Sequence, residues 1–196
     1  MQQRTALSQD TRHFEAATLP HLAAAYNLAR WLLRDDQQAH DVVQEAYLRA
    51  FRFFDGLRGT DARPWLLGIV RNACHDWMRQ NRRLADQLEF DEMRDSQYTG
   101  PGAAALAAGA DPAALWEQRT QCTRVNAAIA SLVPAFREVV VLRELEEMSY
   151  EEIALVAGIP IGTVMSRLSR ARALLRTALK DEVGSAGTQR KRDANA

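Results

Sequence analysis

Apolar positions along the chain recur every three and four residues, the period of a helix with one buried face. Leu22, Ala25, Tyr26, Ala29 and Leu33 predict a helix over 22–33. From Asp41 the chain reads DVVQEAYLRAFRFF, with Val42, Val43, Ala46, Tyr47, Ala50 and Phe54 on one face. Asp41, Gln44, Glu45, Leu48, Arg49 and Arg52 take the opposite face. A third helix is predicted from about Arg63 to Arg82, with the stripe Trp65, Leu66, Ile69, Val70, Ala73, Trp77 and Met78. Asp55-Gly56 and Arg58-Gly59-Thr60-Asp61 mark the loop before it, and Pro64 suits a first helical turn. The one strand-like run, VVVL at 139–142, sits in FREVVVLRELEEM, where Glu and Arg at helical spacing favour helix. The pattern predicts an all-α protein.

The second half ends in a helix pair with its own punctuation. Ser149 and Glu152 form an S-x-x-E capping box ahead of Ile153, Ala154, Val156 and Ala157. Gly158 provides a stop, and Pro160 can begin the next helix. There Val164, Leu168, Ala171, Leu175 and Leu179 form an apolar stripe, while Thr163, Ser166, Arg167 and Arg170 cluster on another face. A short helix, a glycine turn and a longer basic helix make a helix-turn-helix, whose second helix can enter the DNA major groove. Short capped pairs also occur in bundles that bind no DNA.

Between the halves the composition changes. An acidic stretch leads into YTGPGAAALAAGA at 98–110, which has three glycines, one proline and no charge. Structureless loops beyond about 12–15 residues are uncommon inside a compact domain. The chain therefore divides into a domain over 10–84, a flexible linker over 85–112, a second domain over 113–180 and a polar, frayed tail over 181–196. A short helix through AAALAA is compatible with its alanines.

Charge sharpens this division. The 25 basic and 25 acidic side chains cancel, and zero net charge argues against a simple, strongly basic DNA binder. The cancellation hides segregation. Five arginines face one aspartate over 63–83, six acids face one arginine over 84–112, and 160–180 carries five basic residues and no acid. Two basic blocks thus flank an acidic middle, unless all three are solvated faces. Cys74 and Cys122 support neither a disulfide framework nor a zinc cage. His13, His21, His40 and His75 lack metal-ligand spacing, and no phosphate-binding glycine loop or nucleophile elbow occurs. Cys74 and His75 are adjacent, so on a helix they point about 100° apart and make an improbable catalytic pair. No apolar run reaches the length of a membrane span and no signal peptide opens the chain, so a cytoplasmic, non-enzymatic protein without a cofactor is expected.

These residues resemble the extracytoplasmic-function sigma factors of bacterial RNA polymerase. LVPAFREVVVLRELEEMSYEEIALVAGIPIGTVMSRLSRARALLRTAL resembles that family's domain four, with GIPIGTVMSRLSRAR its most specific part. AHDVVQEAYLRAF and RPWLLGIVRNACHDWMRQNRR resemble its domain two. The resemblance implies a promoter-specificity subunit whose partners are core RNA polymerase and promoter DNA. It also implies regulation by an anti-sigma factor, although nothing in the chain itself requires one.

By the same resemblance, Asp41, Gln44 and Glu45 match the polymerase-binding motif, and Asn72 matches an asparagine at the pocket for a flipped minus-ten base. The residue type suits an extruded base edge. The loop from Arg58 to Arg63 matches the base-specifying loop, and Arg79, Arg82 and Arg83 fit phosphate contacts or simply a solvated surface. Thr163, Ser166, Arg167 and Arg170 correspond to the minus-thirty-five reading face. Met165 and Ile161 depart from the family's polar preferences. Trp65 matches a family aromatic, yet its stripe places it in the core first. The competing reading is an autonomous helix-turn-helix regulator that binds promoters without polymerase.

Overall fold

The computed structural model describes the backbone of residues 2–57, 61–87 and 112–193, with side chains over 10–55, 57, 61–81 and 119–180. Among these residues every regular element is helical: α1 (Gln2–Thr18), α2 (Leu22–Leu33), α3 (Asp36–Phe53), α4 (Ala62–Gln87), α5 (Pro112–Ser131), α6 (Pro134–Val140), α7 (Tyr150–Ala157) and α8 (Ile161–Asp193). Short 3-10 turns follow α1 and α3, and a π-helical turn, Val141–Leu145, follows α6. VVVL is helical, as its flanks predict.

Local chemistry sets the boundaries. Helix α3 begins five residues before Asp41 because Asp35 caps it, accepting from the Gln38 N–H at 2.9 Å. Asp61 does the same for α4, accepting from the Arg63 N–H at 3.0 Å. In the helix pair, Ser149 accepts from the Glu152 N–H at 3.1 Å and the Glu152 carboxylate accepts from the Ser149 N–H at 2.6 Å. Gly158 closes α7 in the left-handed region, φ 64°. Pro160 takes the cap position rather than the first turn of α8, its carbonyl accepting from the Thr163 and Val164 N–H groups. The two helices meet at 101°, as a helix-turn-helix requires.

Three segments depart from expectation. Helix α1 precedes the first helix predicted from the pattern, 22–33. It is seated by Phe14, which meets Phe51 and Phe54 edge-on at 5.2 Å, while the Tyr47 hydroxyl donates to the Thr18 carbonyl at 3.0 Å. Residues 85–87, assigned to the linker, continue α4, and α8 runs to Asp193 through the tail expected to fray. No proline interrupts α8, and its glycines weaken a helix by only about 1 kcal/mol each. The remaining linker, 88–111 with its AAALAA run, lies outside the described residues, as does the loop 58–60.

The two halves share one core. Leu28, Trp31, Leu32, Leu67, Val70 and Cys74 from the first half are continuous with Ile129, Val139, Leu142, Met148, Ile153 and Val156 from the second. Helix α4 crosses α7 at Gly68, where a Cβ would stand 3.9 Å from the Val156 backbone, an ordinary contact distance. Arg137, at 5% exposure, donates to the carbonyls of Ala130 (2.6 Å) and Leu132 (2.8 Å) at the end of α5 and to that of Trp31 (3.2 Å) in α2. A cation there also meets the negative ends of both helix dipoles.

The cap residues yield a stability prediction. Ser149→Ala removes one side of the reciprocal cap and should cost about 1 kcal/mol. Gly158→Ala puts a Cβ on a left-handed backbone and should cost about 1–2 kcal/mol. Urea denaturation followed by circular dichroism checks both, and unchanged midpoints contradict the capping account.

Candidate nucleic-acid interface

The outer face of α3 carries Asp41, Gln44 and Glu45, all exposed as predicted from the polar side of the period. Leu48, 63% exposed, shares that face. Glu45 pairs with Arg49 at 2.5 Å, Arg49 reaches Asp76 on α4 at 3.5 Å, and Asp76 pairs with Arg79. A ladder of alternating charge thereby couples the α3 face to α4.

On α4, Asn72 and Arg79 are exposed. The backbone of Arg82 and Arg83 lies in α4, with their side chains outside the described residues. Trp65 is half-buried and meets Phe54 edge-on at 6.3 Å, so its place is in packing. Arg63 is not free. It donates to the Glu146 carbonyl at 2.6 Å and approaches the Glu146 carboxylate at 3.3 Å. The same carboxylate accepts from the Asn27 amide at 2.9 Å. Glu146 is 7% exposed and sits where the chain leaves the π-helical turn, its N–H bonded to the Val141 carbonyl. Glu147 next to it has φ 54°, and the Arg143 guanidinium braces the turn through the Met148 carbonyl.

A second contact of this kind lies two turns along α4. Arg71 donates to Glu138 at 2.6 Å, and His75 Nε2 stands 3.8 Å from the same carboxylate. Arg71 also donates to the Asn72 side-chain oxygen at 3.2 Å. Glu138 is 1% exposed; burial pushes its carboxyl up, and His75 and Arg71 more than reverse this, leaving its pKa below the ordinary carboxylate value.

The face of α8 opposite Val164, Leu168 and Ala171 presents Ser166 and Arg170 to solvent, with Thr163 half-buried. The Ser166 hydroxyl donates to the Thr163 carbonyl at 3.0 Å. Arg167 turns elsewhere. It lines a cleft of about 390 Å³ between the two halves, together with Arg71, His75, Arg79 and Glu138. The predicted four-residue face thus divides, with Ser166 and Arg170 outward, Thr163 half-buried and Arg167 at the seam. Arg172 is held by Glu144 at 2.7 Å. Sequence reasoning missed Arg71, Glu138 and Glu146. The available signal was Arg63, Leu67, Arg71 and His75 at strict four-residue spacing, a second stripe on α4.

Burial pushes the Cys74 thiol up to about 12, so the residue beside His75 is an inert core group. Among the described residues no cluster of His, Cys, Asp and Glu could hold a metal, and no single helix is long and apolar enough to cross a membrane.

Comparison with known proteins identifies the two halves separately. Residues 19–84 match the family model for Sigma-70 region 2, and residues 123–175 match that for Sigma-70, region 4. The chain is 35% identical over 133 residues to the ECF RNA polymerase sigma-E factor of Escherichia coli K12, covering 67% of this chain and 69% of that one. It is 31% identical over 159 residues to the ECF RNA polymerase sigma factor SigE of Mycolicibacterium smegmatis, covering 81% of this chain and 58% of the relative. Among solved structures it resembles the sigma factor RpoE of Bartonella quintana, in complex with the anti-sigma factor NepR, at TM-score 0.65 and 27% identity. That match covers 86% of this chain and 98% of RpoE. CnrH, in complex with the cytosolic domain of CnrY, matches at TM-score 0.62 and 25% identity, covering 91% of this chain and 94% of that one.

The Glu138 contact makes stability depend on pH with a defined sign. A carboxyl with a depressed folded-state pKa stabilises the fold above its unfolded value, and that contribution disappears as pH falls through the folded value. Glu138→Gln should therefore cost about 1–3 kcal/mol at neutral pH, the range for a buried group that loses its hydrogen-bond partner, since Arg71 keeps 20% of its side chain exposed. The difference from the parent should shrink once the pH drops below the ordinary carboxylate range. Urea denaturation of both proteins across that range measures the gap, and a gap independent of pH contradicts the assignment.

Proposed function

The chain belongs to the extracytoplasmic-function group of sigma-70 family RNA polymerase sigma factors, and from that premise we propose how its residues divide the work. The reading is carried by one observation: region 2 and region 4 occur in order on the same chain. It is a specificity subunit that acts with core RNA polymerase on promoter DNA. The first domain, 10–84, binds polymerase through Asp41, Gln44 and Glu45, with Leu48 as the apolar centre of that face. It engages the minus-ten element through Asn72, with Arg63, Arg79, Arg82 and Arg83 along the separated strand. The second domain, 113–180, reads the minus-thirty-five element with Thr163, Ser166, Arg167 and Arg170. The segment between α4 and α5 joins them.

The chemistry fits each role. The Asn72 amide offers both a donor and an acceptor to an extruded base edge. Arg170 is exposed and long enough to reach a base edge in the major groove, where a bidentate arginine–guanine contact is worth about 1–3 kcal/mol of discrimination. Non-enzymatic action needs no cofactor, and location with polymerase follows from the role. Since two solved relatives are complexes with a partner protein, NepR for RpoE and CnrY for CnrH, we extend to this chain control by an anti-sigma factor. The autonomous regulator is not favoured. Run-off transcription with core polymerase on a promoter library tests the whole reading, because only the sigma factor requires polymerase for specific initiation.

Two predictions test the division of labour. Reversing charge at Asp41 and Glu45 should weaken core-polymerase binding while changing fold stability by no more than about 0.5 kcal/mol, as exposed sites do. Core affinity by fluorescence anisotropy, with circular dichroism as the fold control, decides this. Arg170→Ala should relax base preference at one minus-thirty-five position, and Asn72→Ala should reduce minus-ten opening while core binding persists. Library selection at several salt concentrations and permanganate footprinting read these, and unaltered preference and opening contradict the two roles.

A further inference from the structure

We infer that Ile161 and Met165 form an apolar row on the recognition helix that packs against thymine C5-methyl groups of the minus-thirty-five element. The inference rests on the sigma-factor reading above and names the base chemistry that the same helix selects.

Along the start of α8 the exposed residues are Ile161, Gly162, Met165, Ser166, Ser169 and Arg170. They fall into two rows at four-residue spacing, Ile161–Met165–Ser169 and Gly162–Ser166–Arg170, which together make the outward face of the helix. Helical period alone puts Thr163 and Arg167 on this face. In the structure Thr163 is half-buried and Arg167 lines a cleft, while Ile161 and Met165 point to solvent in their place. Ile161 is 42% exposed and Met165 53%. Val164, Leu168 and Ala171 fill the buried side, and Met165, one residue after Val164, points about 100° away from it. Single exposed apolar residues are ordinary, but these two are neighbours in one row. Their helix carries five basic residues and no acid over 160–180, which suits a polyanion.

The first two turns of this face offer few hydrogen bonds. Ile161 and Met165 have none to give. Gly162 has no side chain, and a Cβ there would meet nothing within 4 Å, so base edges can approach the helix closely. Ser166 donates its hydroxyl hydrogen to the Thr163 carbonyl at 3.0 Å. The major groove displays one apolar group, the C5-methyl of thymine. Against Ile161 or Met165 that methyl loses only water, whereas the amino group of cytosine or N7 of guanine loses a hydrogen bond and gains none. Attraction to the methyl and the penalty on polar edges act in the same direction. The unbranched Met165 side chain can adjust to the methyl it meets. Four helical residues rise about 6 Å, close to two base-pair steps of about 3.4 Å. The methyls contacted therefore lie within about two base pairs of each other. Arg170, in the neighbouring row, remains available for a guanine edge.

The test uses holoenzyme assembled from the full chain and core polymerase. Selection from a promoter library yields the minus-thirty-five element of the parent. Each of its thymines is then replaced singly by deoxyuridine, which lacks only the methyl group. Uracil should weaken holoenzyme binding about fourfold, the change expected for one buried methyl, at one or two neighbouring positions. Met165→Ala and Ile161→Ala should each abolish the uracil effect at the position it contacts. Arg170→Ala should relax guanine preference and keep the uracil effect. Met165→Gln supplies an amide and should move the preferred base at its position from thymine to adenine. Thermal melting by circular dichroism should not change, since both side chains are exposed. A selected element without an A·T pair, uracil tolerated at every position, or a uracil effect that persists in both alanine variants overturns the inference. Weaker core-polymerase binding by the alanine variants with uracil sensitivity intact assigns the row to a protein contact and overturns it too. A parent holoenzyme that selects no promoter overturns the sigma-factor reading and the inference with it, whereas a selected promoter indifferent to uracil overturns the inference alone.

Discussion

Helix α4 has one circumference, and the rest of the molecule is arranged around how it is shared. Leu66 closes a small core with Phe14 of α1 and Ala50 of α3. Leu67, Val70 and Cys74 enter the large core that also holds α2 and the second half of the chain. Asn72 and Arg79 face outward. An α-helix presents about 360° in 3.6 residues, so three neighbours leave each a sector of roughly one third. Side chains near a sector border, such as Arg63 and Arg71, are taken up by the contact with Glu146 and Glu138 of the second half.

The border residues are charged, and that decides what kind of contact the seam can be. Separating a buried apolar surface exposes hydrocarbon to water at about 25 cal/mol per Å². Separating a buried ion pair returns both ions to water, which offsets much of the lost attraction. An interface with acids and arginines along its edge is accordingly easier to part than an apolar interface of equal area. Arg137 lies deeper and behaves differently. Its guanidinium bonds carbonyls at the ends of α2 and α5, and the loss of one such partner would leave a buried donor unsatisfied. The seam therefore combines a fixed polar anchor with replaceable ion pairs.

Much of this was legible in the sequence, and what was not has a common cause. Helices α2, α7 and α8 announce themselves by period and punctuation, and the reciprocal cap at Ser149 and Glu152 is local enough to be read from four residues. Helix α1 was not predicted because, among its described side chains, the contact is made by Phe14 against Phe51 and Phe54 and by the buried Thr18, too few positions to form a stripe. The π-helical turn after α6 left no mark, since VVVLREL reads equally well as plain helix. Of the candidate sites, the α3 face and Asn72 emerged where expected on exposed helix surface. Arg167 did not, because helical periodicity assigns a direction relative to the helix axis but says nothing of what stands there. Arg63 and Glu146, or Arg71 and Glu138, are 83 and 67 residues apart. Each member taken alone looks like an ordinary solvated charge.

The zero net charge acquires a spatial meaning from these pairs. Read along the chain, it is a cancellation between basic blocks and an acidic middle. In three dimensions part of it is short-range, since two acids of the second domain sit directly on arginines of the first. A paired charge contributes little field beyond a Debye length, about 8 Å at physiological salt. The chain consequently presents less positive potential along α4 than its arginine count suggests. The field along α4 therefore depends on which acids stand beside its arginines. Total charge, which is all that composition reports, is blind to that dependence.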